Sequence, residues 1–374
     1  MKDMHGLIFA YAGGGGTRLK ELTEHRSVSS LPFGGRYRVI DFMLSNMVGA
    51  GITDVGVIMR ENYQSLLDHL GSGKDWDLSR KRGGLRLLPP FSFAGKGPYE
   101  GVFLGSMAAL FDITSYLSHI RQEYVVLAEG CLVANLPLED ALRHHIANGA
   151  DITALCTPRR LGQAECACFL QMDDDDIVTD IARGRDMLDT TESLGVYILS
   201  KKLLETLVAH CAAHNLYDFE RDVLQGMLGT LKVSGYVFNG FAARMSTVAS
   251  YFEHNMSMLR AEVRASLFLK DRPVKTKVRD DTSTYYAPAA RVSNCLVADG
   301  CFIEGDVENS VIFRGVRIES GARVHNSILM QDTKVSAGAI LGYAITDKEV
   351  VIGPGRMLMG HATYPIAIGK GSIV

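Results

Sequence analysis

Short apolar runs alternate with helix-like segments over the first two thirds of the chain. Residues 6–12 form an apolar run without polar alternation, as is typical of a strand buried on both faces of a parallel sheet. The same pattern predicts strands at residues 55–59, 124–128, 152–157 and 196–199, with helices at residues 62–70 and 105–116. Alternating strands and helices predict a doubly wound α/β domain with a mostly parallel sheet.

Such sheets bind their ligands beyond the carboxyl ends of the strands. The segments that follow two of the predicted strands, residues 13–18 and 129–135, are therefore where chemistry is expected.

A six-residue repeat replaces this pattern after about residue 280. Apolar residues recur at a spacing of six in three series: Val297 and Ile303; Ile312, Ile318, Val324 and Met330; Leu329, Val335 and Leu341. One apolar residue per six-residue step is typical of a parallel β-helix. The polar stretch at residues 272–286, which contains Pro273, is the predicted linker between an α/β domain at residues 1–271 and a β-helix domain at residues 287–374.

Composition agrees with two folded domains. A chain of 374 residues exceeds the size at which one core usually stops growing, and 47% hydrophobic with 22% charged residues is ordinary for globular proteins. The formal net charge of -3 offers no general basic field for nucleic acid. Seven cysteines without a C-x-x-C pair indicate reduced thiols, and the absence of a secretory or membrane-spanning apolar segment makes the cytoplasm the expected compartment.

The first strand runs into a glycine turn. Bare backbone N–H groups and an arginine suit a phosphate, and the turn consists of Gly13, Gly14, Gly15, Gly16, Thr17 and Arg18. It lacks both the G-K-[ST] of a Walker A loop and the G-x-G-x-x-G dinucleotide pattern. On the glycines alone, a purely structural tight turn is the alternative.

Residues 12–46 read AGGGGTRLKELTEHRSVSSLPFGGRYRVIDFMLSN. This run resembles the signature of bacterial glucose-1-phosphate adenylyltransferase (ADP-glucose pyrophosphorylase). The resemblance continues in ESLGVYIL at residues 192–199, KTKVRDDTSTYYAP at 275–288 and NCLVADGCFIEG at 294–305, so it spans nearly the whole chain. It implies a nucleotide-diphospho-sugar transferase domain (Rossmann-like, mostly parallel sheet) followed by a left-handed parallel β-helix of hexapeptide repeats.

The family joins ATP and glucose 1-phosphate into ADP-glucose and pyrophosphate, which needs positive charge on the phosphates and a carboxylate-held Mg²⁺. Three positions of this chain depart from the family's catalytic pattern. Where the family reads R-A-K-P, residues 26–29 place Val28 at the lysine; where it reads G-D-H-I-Y, residues 129–133 place Gly130 at the metal-binding aspartate. Where it reads W-R-D-V-G-T, residues 242–247 place Arg244 at the second metal aspartate.

The sugar-phosphate motif is altered as well. The family's F-V-E-K-P corresponds to residues 181–185, which lack the Glu–Lys pair. Because each loss removes charge that the reaction needs, the resemblance implies no catalytic residue, no resident metal and no required cofactor in this chain.

Other family features remain. Besides the glycine turn, Ser193 and Gly195 stand in the sugar-facing S-x-G position. The chain therefore resembles the non-catalytic regulatory subunit that some bacteria make beside the active enzyme of glycogen synthesis, with which it forms a heterotetramer. The resemblance implies the catalytic subunit as partner and ATP, ADP-glucose or an anionic effector as ligands.

Two other functions stay open at this point. An active enzyme, with Mg²⁺ as cofactor, would need a displaced carboxylate, and Glu129 or Asp222 are the candidates. An acyltransferase built on the β-helix would need a general-base histidine, for which His325 and His361 are available.

Two charged segments can be interpreted either as solvent-exposed loops or as binding sites. The acidic run at residues 173–176 is predicted to be a solvated hairpin tip rather than a metal site. A basic, glycine-punctuated segment is either an exposed loop or a contact for an anion, and it contains Arg80, Lys81, Arg82 and Arg86 with Lys74 and Lys96 nearby.

Overall fold

A computed structural model describes residues 4–11, 19–89, 105–159, 161, 167–184 and 190–374. The glycine turn of Gly13 to Arg18 lies outside these residues, as do Lys96 and Arg185. Phosphate binding by the turn therefore stays a prediction.

The first domain is built on a mixed β-sheet of nine strands within the described ranges. The strands of this domain, including two small ribbons beside the sheet, are β1 (Met4–Phe9), β2 (Pro32–Phe33), β3 (Tyr37–Arg38), β4 (Asp54–Ile58), β5 (Gly84–Leu88), β6 (Tyr124–Glu129), β7 (Leu132–Ala134), β8 (Ile152–Thr157), β9 (Cys168–Met172), β10 (Val178–Arg183), β11 (Thr191–Ser200), β12 (Val233–Val237) and β13 (Ala242–Arg244).

The order of the main sheet is β10-β9-β11-β6-β1-β4-β5, and β8 pairs with both β11 and β12. β1 runs parallel to β4 and β6, and β4 runs parallel to β5, whereas β11 runs antiparallel to β6 and β8. On β1, Leu7 and Ile8 are both fully buried and belong to cores on opposite faces of the sheet. This two-sided burial is why the strand reads as an unbroken apolar run.

Helices cover both faces of the sheet. They are α1 (Val39–Gly49), α2 (Gln64–Leu70), α3 (Ser106–Asp112), α4 (Thr114–Ser118), α5 (Leu138–Asn148), α6 (Lys201–His214), α7 (Val248–Ser257) and α8 (Ala261–Leu267), with a π-helix at Phe219–Gln225. Local residues set their ends: the Ser200 hydroxyl accepts the Leu203 amide at 3.2 Å at the start of α6, and Gly149 with φ +53° ends α5. Within the described ranges, each helix is too short or too polar to cross a bilayer.

The predicted elements of this domain are confirmed with small shifts at their ends. The strand predicted at residues 152–157 matches β8, and those predicted at 55–59 and 124–128 match β4 and β6 to within one residue. The helix predicted at 105–116 is divided into α3 and α4 at Ile113.

The second domain is a coil of three parallel five-stranded sheets, which confirms the parallel β-helix predicted from the repeat and the left-handed class implied by the resemblance. Its strands are β14 (Tyr285–Tyr286), β15 (Arg291–Ser293), β16 (Leu296–Val297), β17 (Phe302–Ile303), β18 (Asp306–Glu308), β19 (Val311–Ile312), β20 (Arg317–Ile318), β21 (Arg323–His325), β22 (Ile328–Leu329), β23 (Lys334–Val335), β24 (Ile340–Gly342), β25 (Ala344–Thr346), β26 (Val351–Ile352), β27 (Met357–Met359) and β28 (Ile366–Ile368).

One residue of the six-residue series lies outside the coil interior. Ile312, Ile318 and Val324 line the coil interior, but Met330 packs in the core between the two domains, and Leu329 takes the interior position. The coil advances 17 residues from Val307 to its partner Val324 rather than 18. A 17-residue turn is one residue shorter than three six-residue steps. The apolar residues therefore depart from strict six-residue spacing within such a turn.

The two domains share a core. Val28, Phe42 and Tyr251 of the first domain belong to the same buried cluster as Val311 and Met330 of the coil. Within this interface the guanidinium of Arg26 makes two bonds to the Asp347 carboxylate, at 2.7 and 3.0 Å, and both side chains are buried.

The predicted linker at residues 272–286 has no helix or strand before β14 begins at Tyr285. It is held against the first domain where the Lys275 amide donates to Ser45 Oγ at 2.8 Å. The boundaries at 271 and 287 remain predictions.

Candidate functional site

The parallel strands β1, β4 and β6 end at the same edge of the sheet, where the sequence predicts chemistry. At this edge β6 ends in Glu129, and the next amide, that of Gly130, donates to the Phe9 carbonyl at the end of β1 at 2.8 Å. The following strand, β7, pairs with β13 so that Arg244 lies opposite Leu132. This ribbon brings Gly130 and Arg244, which are far apart in sequence, to one site.

Arg244 fills this site with a guanidinium held by acidic groups. Its Nη1 lies 3.0 Å from Glu192 Oε1, and its Nη2 donates to the Ser193 carbonyl at 2.7 Å. Its Nε is 3.4 Å from Glu129 Oε2. Arg244 is 8% exposed and Glu192 is fully buried, so the Arg244–Glu192 pair is an internal ion pair.

The charge of Arg244 is stabilised by its surroundings. Burial opposes the charge, but Glu129, together with Glu192, more than offsets this and raises the pKa of Arg244. Arg244 is therefore a permanent cation where the resemblance expects a metal-binding aspartate.

Gly130 stands in a space that a side chain does not fit. A Cβ atom there would lie 2.5 Å from Ser29 Oγ and 3.0 Å from the Phe9 carbonyl oxygen. Since atoms do not approach that closely without displacement, an aspartate at this position would need at least the Ser29 side chain to move.

Val28 belongs to the hydrophobic core. It begins a single 3₁₀ turn, Val28–Ser30, is 3% exposed, and packs in the interdomain cluster beside Leu31. Its side chain offers no charge to a phosphate.

Ser193 and Gly195 lie at the same site but are engaged within the protein. Ser193 Oγ accepts the Gly195 amide at 3.1 Å and lies 2.9 Å from the Tyr197 hydroxyl. Gly195 has φ +67°, and a Cβ on it would lie 2.6 Å from the Glu129 carboxyl group. The glycine is thus required by both its backbone and the neighbouring carboxylate.

A second arginine pairs with acids in the adjoining region. Arg183 Nη1 is 3.1 Å from Asp218 Oδ1, and its Nη2 is 3.6 Å from Glu220 Oε2. Glu220 also accepts the Tyr197 hydroxyl at 2.5 Å. Burial, with the nearby Glu129 charge, raises the pKa of Glu220.

Sequence reasoning noted Arg183 only as a motif departure and missed Glu220 altogether. The D-F-E-R-D run at residues 218–222 is visible in the sequence, but its pairing with β10 depends on the fold.

The residues here do not fit a Mg²⁺ ion. Glu129 lies beside the Arg244 guanidinium, and Asp222 accepts two backbone amides, from Tyr217 at 2.7 Å and Asp218 at 2.9 Å, while it pairs with Arg221. Among the residues described, no group of three or more histidine, cysteine or acidic side chains is arranged to hold a metal. Magnesium prefers several free carboxylate and water oxygens.

A separate cationic cleft lies between the two domains, and sequence reasoning did not identify it. It encloses about 150 Å³ and is lined by six basic residues with Asp68 and His69 at one side. The six are Arg36, Arg38, Lys277, Arg279, Arg314 and Lys348. Four of the six lie in two short runs of the sequence, R-Y-R at residues 36–38 and K-T-K-V-R at residues 275–279. Nothing local in the sequence links these two distant runs.

Two groups of the cleft are poised for an anion. Arg314 Nη2 is buried without a hydrogen-bond partner within the described ranges. Burial, with the charges of Arg38 and Arg26, lowers the pKa of Lys348 to about 7. An anion would relieve both, because it supplies an acceptor and a compensating charge.

The remaining sequence candidates have structural roles. Asp173 Oδ1 accepts the amides of Asp175 and Ile177 in the β9–β10 turn, which confirms the predicted hairpin tip. His325 lies 3.4 Å from the Asn326 amide group, and His361 bonds Thr363. No carboxylate partner that would orient either imidazole as a base is found among the described residues.

A mixed sheet with a carboxyl-edge site, followed by a hexapeptide coil, agrees with the fold that the resemblance implies, and the comparisons identify the class as nucleotidyl transferase. Residues 6–260 match the family model described as Nucleotidyl transferase, and residues 276–362 match that described as GlmU-like, C-terminal hexapeptide.

Curated relatives extend this match over nearly the whole chain. It is 35% identical over 355 residues to the glycogen biosynthesis protein GlgD of Bacillus subtilis (strain 168) and 37% identical over 355 residues to that of Geobacillus stearothermophilus, each match covering 95% of this chain and 93% of the relative. It is 31% identical over 351 residues to glucose-1-phosphate adenylyltransferase of Bacillus cereus (strain Q1), covering 93% of both. The chain belongs to the nucleotidyl transferase family, in the group that contains GlgD and glucose-1-phosphate adenylyltransferase.

Proposed function

We propose that the chain is a regulatory subunit of glucose-1-phosphate adenylyltransferase that has no adenylyltransferase activity of its own. In this role it associates with the catalytic subunit and modulates ADP-glucose synthesis for glycogen. The observation that carries the proposal is the Arg244 guanidinium, paired at 3.0 Å with the buried Glu192 carboxylate where a metal ligand is expected.

The chemistry of the reaction supports the absence of activity. Transfer of a nucleotidyl group places extra negative charge on the phosphates, which metal ions and lysines normally stabilise. Here the expected lysine is the core residue Val28, and the expected aspartate is Gly130, whose Cβ position is occupied by neighbours. Loss of one such electrostatic contribution commonly costs about 10²–10³-fold in rate, so loss of several leaves no useful turnover.

The retained architecture supports a role beside a catalytic homologue. The relatives named GlgD and glucose-1-phosphate adenylyltransferase match the chain over nearly the same length, 355 and 351 residues, so both kinds of chain have equivalent folds. A chain that keeps the fold while its site is filled by ion pairs can present the same assembly surfaces without competing for the reaction.

The cationic cleft supports regulation by an anion. Its six basic residues come from both domains, so a bound anion would bridge the α/β domain and the coil. ATP or ADP-glucose at the predicted glycine turn are the other ligands that the proposal includes.

The proposal predicts that the purified chain binds the catalytic homologue and changes its kinetics. Mixed at equal concentrations, the two should elute together in size-exclusion chromatography. The mixture should differ from the homologue alone in maximal rate or in the concentration of anion that gives half-maximal response. Separate elution with unchanged kinetics would contradict the partner role.

Sulfate binding to the cationic cleft should weaken as the pH rises through 7. Sulfate itself does not titrate there, whereas Lys348, whose pKa is lowered to about 7, loses the charge that attracts the anion. One pH unit above that value about nine tenths of the lysine is neutral, so the dissociation constant at pH 8 should be roughly five to ten times that at pH 6.

Isothermal titration with sulfate at pH 6, 7 and 8 measures this change. The Lys348→Met variant should bind sulfate more weakly at pH 6 and show little further change at pH 8. A pH response of the same size in that variant would assign the titration to another group.

A further inference from the structure

A large cavity lies at the opposite edge of the main sheet from the candidate site. β1, β4 and β5 begin at Met4, Asp54 and Gly84. Side chains near these beginnings, with Leu88 at the end of β5, line this cavity, here called the amino-edge cavity. Its volume is about 1500 Å³. Since nucleotide chemistry in such folds belongs to the carboxyl ends of the strands, this cavity is not part of that site.

The floor of the amino-edge cavity is shaped by the sequence of the strands. Gly56 on β4 has no side chain, and a Cβ there would lie 3.0 Å from the hydroxyl of Tyr116 on α4. The Tyr116 hydroxyl instead lies 3.0 Å from His5 Nε2. His5 is 4% exposed, and its Nδ1 is buried without a hydrogen-bond partner in the described part of the chain.

Four cations surround the opening. They are Lys81, Arg82 and Arg86 from the basic segment and Arg121 from the turn before β6. None of the four lies within 4.0 Å of a carboxylate oxygen of a described residue.

The two acids of the lining, Asp54 and Asp112, are outnumbered by these four cations. Asp54 accepts a hydrogen bond from Gln122 at 2.7 Å, and burial raises the pKa of Asp112. The opening therefore carries an excess of positive charge that a bound anion would balance.

Apolar surface continues from the cations into the cavity. Leu88, Ile113 and Ile120 form its inner wall, and Phe111 at its mouth is 53% exposed. Cavities that combine apolar walls with a few convergent polar groups are typical ligand sites. A bare inorganic ion would leave this apolar surface unused.

We propose that the amino-edge cavity binds an organic phosphate with an aromatic body. The phosphate lies among Arg86, Arg121 and the Lys81–Arg82 pair, where guanidinium groups give paired hydrogen bonds, and the ring contacts Phe111 and Tyr116. This inference does not depend on the proposed regulatory function.

Titration calorimetry with 1-naphthyl phosphate tests the site. The full-length chain should show saturable binding, with inorganic phosphate and 1-naphthol each binding at least about tenfold more weakly. The Arg86→Gln and Arg121→Gln variants should each weaken binding of 1-naphthyl phosphate about tenfold, because a charge-assisted bond is lost.

Two matched variants distinguish this site from other basic surfaces. Arg260→Gln removes a 61%-exposed cation elsewhere and should bind 1-naphthyl phosphate as the parent does. Arg279→Gln removes a cation of the cationic cleft, so a change in binding that it causes reports the cleft and not the amino-edge cavity. Thermal unfolding confirms that each variant is folded. Absence of saturable binding, or binding weakened by Arg279→Gln and not by Arg86→Gln, would overturn the proposal.

Discussion

Replacement of Arg244 by methionine should lower the free energy of unfolding by about 3–5 kcal/mol, because it removes the cation that offsets the charge of a buried carboxylate. Glu192 is fully buried and accepts hydrogen bonds from Arg244 at 3.0 Å and from the Leu161 amide at 2.9 Å; Arg244 also donates to the Ser193 carbonyl at 2.7 Å. Methionine fills much of the same volume but offers neither donor nor charge. Urea denaturation followed by circular dichroism measures the difference.

Two companion variants separate the ion pair from general damage. Arg244→Met/Glu192→Gln removes the charge as well as its partner and should recover part of the lost stability. Arg260→Met removes an exposed arginine and should change the unfolding free energy by less than about 0.5 kcal/mol. If Arg244→Met costs less than about 1 kcal/mol, the pair is not the buried interaction inferred here.

Replacement of Arg26 by methionine should lower the free energy of unfolding by a similar amount, about 3–5 kcal/mol, since Asp347 is then buried without the cation that pairs with it. The pair joins the two domains with bonds of 2.7 and 3.0 Å, and the side chains are 4% and 1% exposed. Loss of the Arg26–Asp347 pair therefore weakens the contact between the coil and the α/β domain and also lowers the stability of the whole chain. Denaturation in urea again measures the loss.

The conservative Arg26→Lys variant keeps the charge but supplies one donor group in place of the two-pronged contact, so its loss should be intermediate. Arg291→Met, on the exposed first turn of the coil, is the matched control and should be nearly neutral. Equal stability of Arg26→Met and Arg291→Met would show that the interdomain pair contributes nothing.

Much of the fold is predictable because its strongest signals are local. β1 and β8 are apolar runs of residues buried on both faces, and the coil repeats one apolar residue per step. Such periodicities follow from side-chain geometry alone.

Other features depend on contacts across the chain. β9 and β10 carry mixed polar residues, and β11 runs antiparallel where strand–helix alternation suggests a parallel sheet. The place of Met330 in the interdomain core depends on a 17-residue turn that the local pattern does not show.

The candidate site also has some features that the sequence shows and others that depend on the fold. Val28, Gly130 and Arg244 stand out in the sequence because motif letters there lack the expected charges. Their consequences needed the structure: the sequence does not show that Arg244 reaches Glu192, 52 residues away, or that Glu129 also lies beside Arg244. The cationic cleft was missed because its residues come from two domains.

The central claim is that the chain alone does not join ATP and glucose 1-phosphate. Pyrophosphate release by the purified chain, measured with both substrates and Mg²⁺ and with the catalytic homologue as positive control, tests it most directly. The expected rate per chain is at least about 10⁴-fold below that of the homologue, from two lost electrostatic contributions of about 10²-fold each. A rate within about tenfold of the homologue, with formation of ADP-glucose, would contradict the account and establish an active enzyme with relocated ligands.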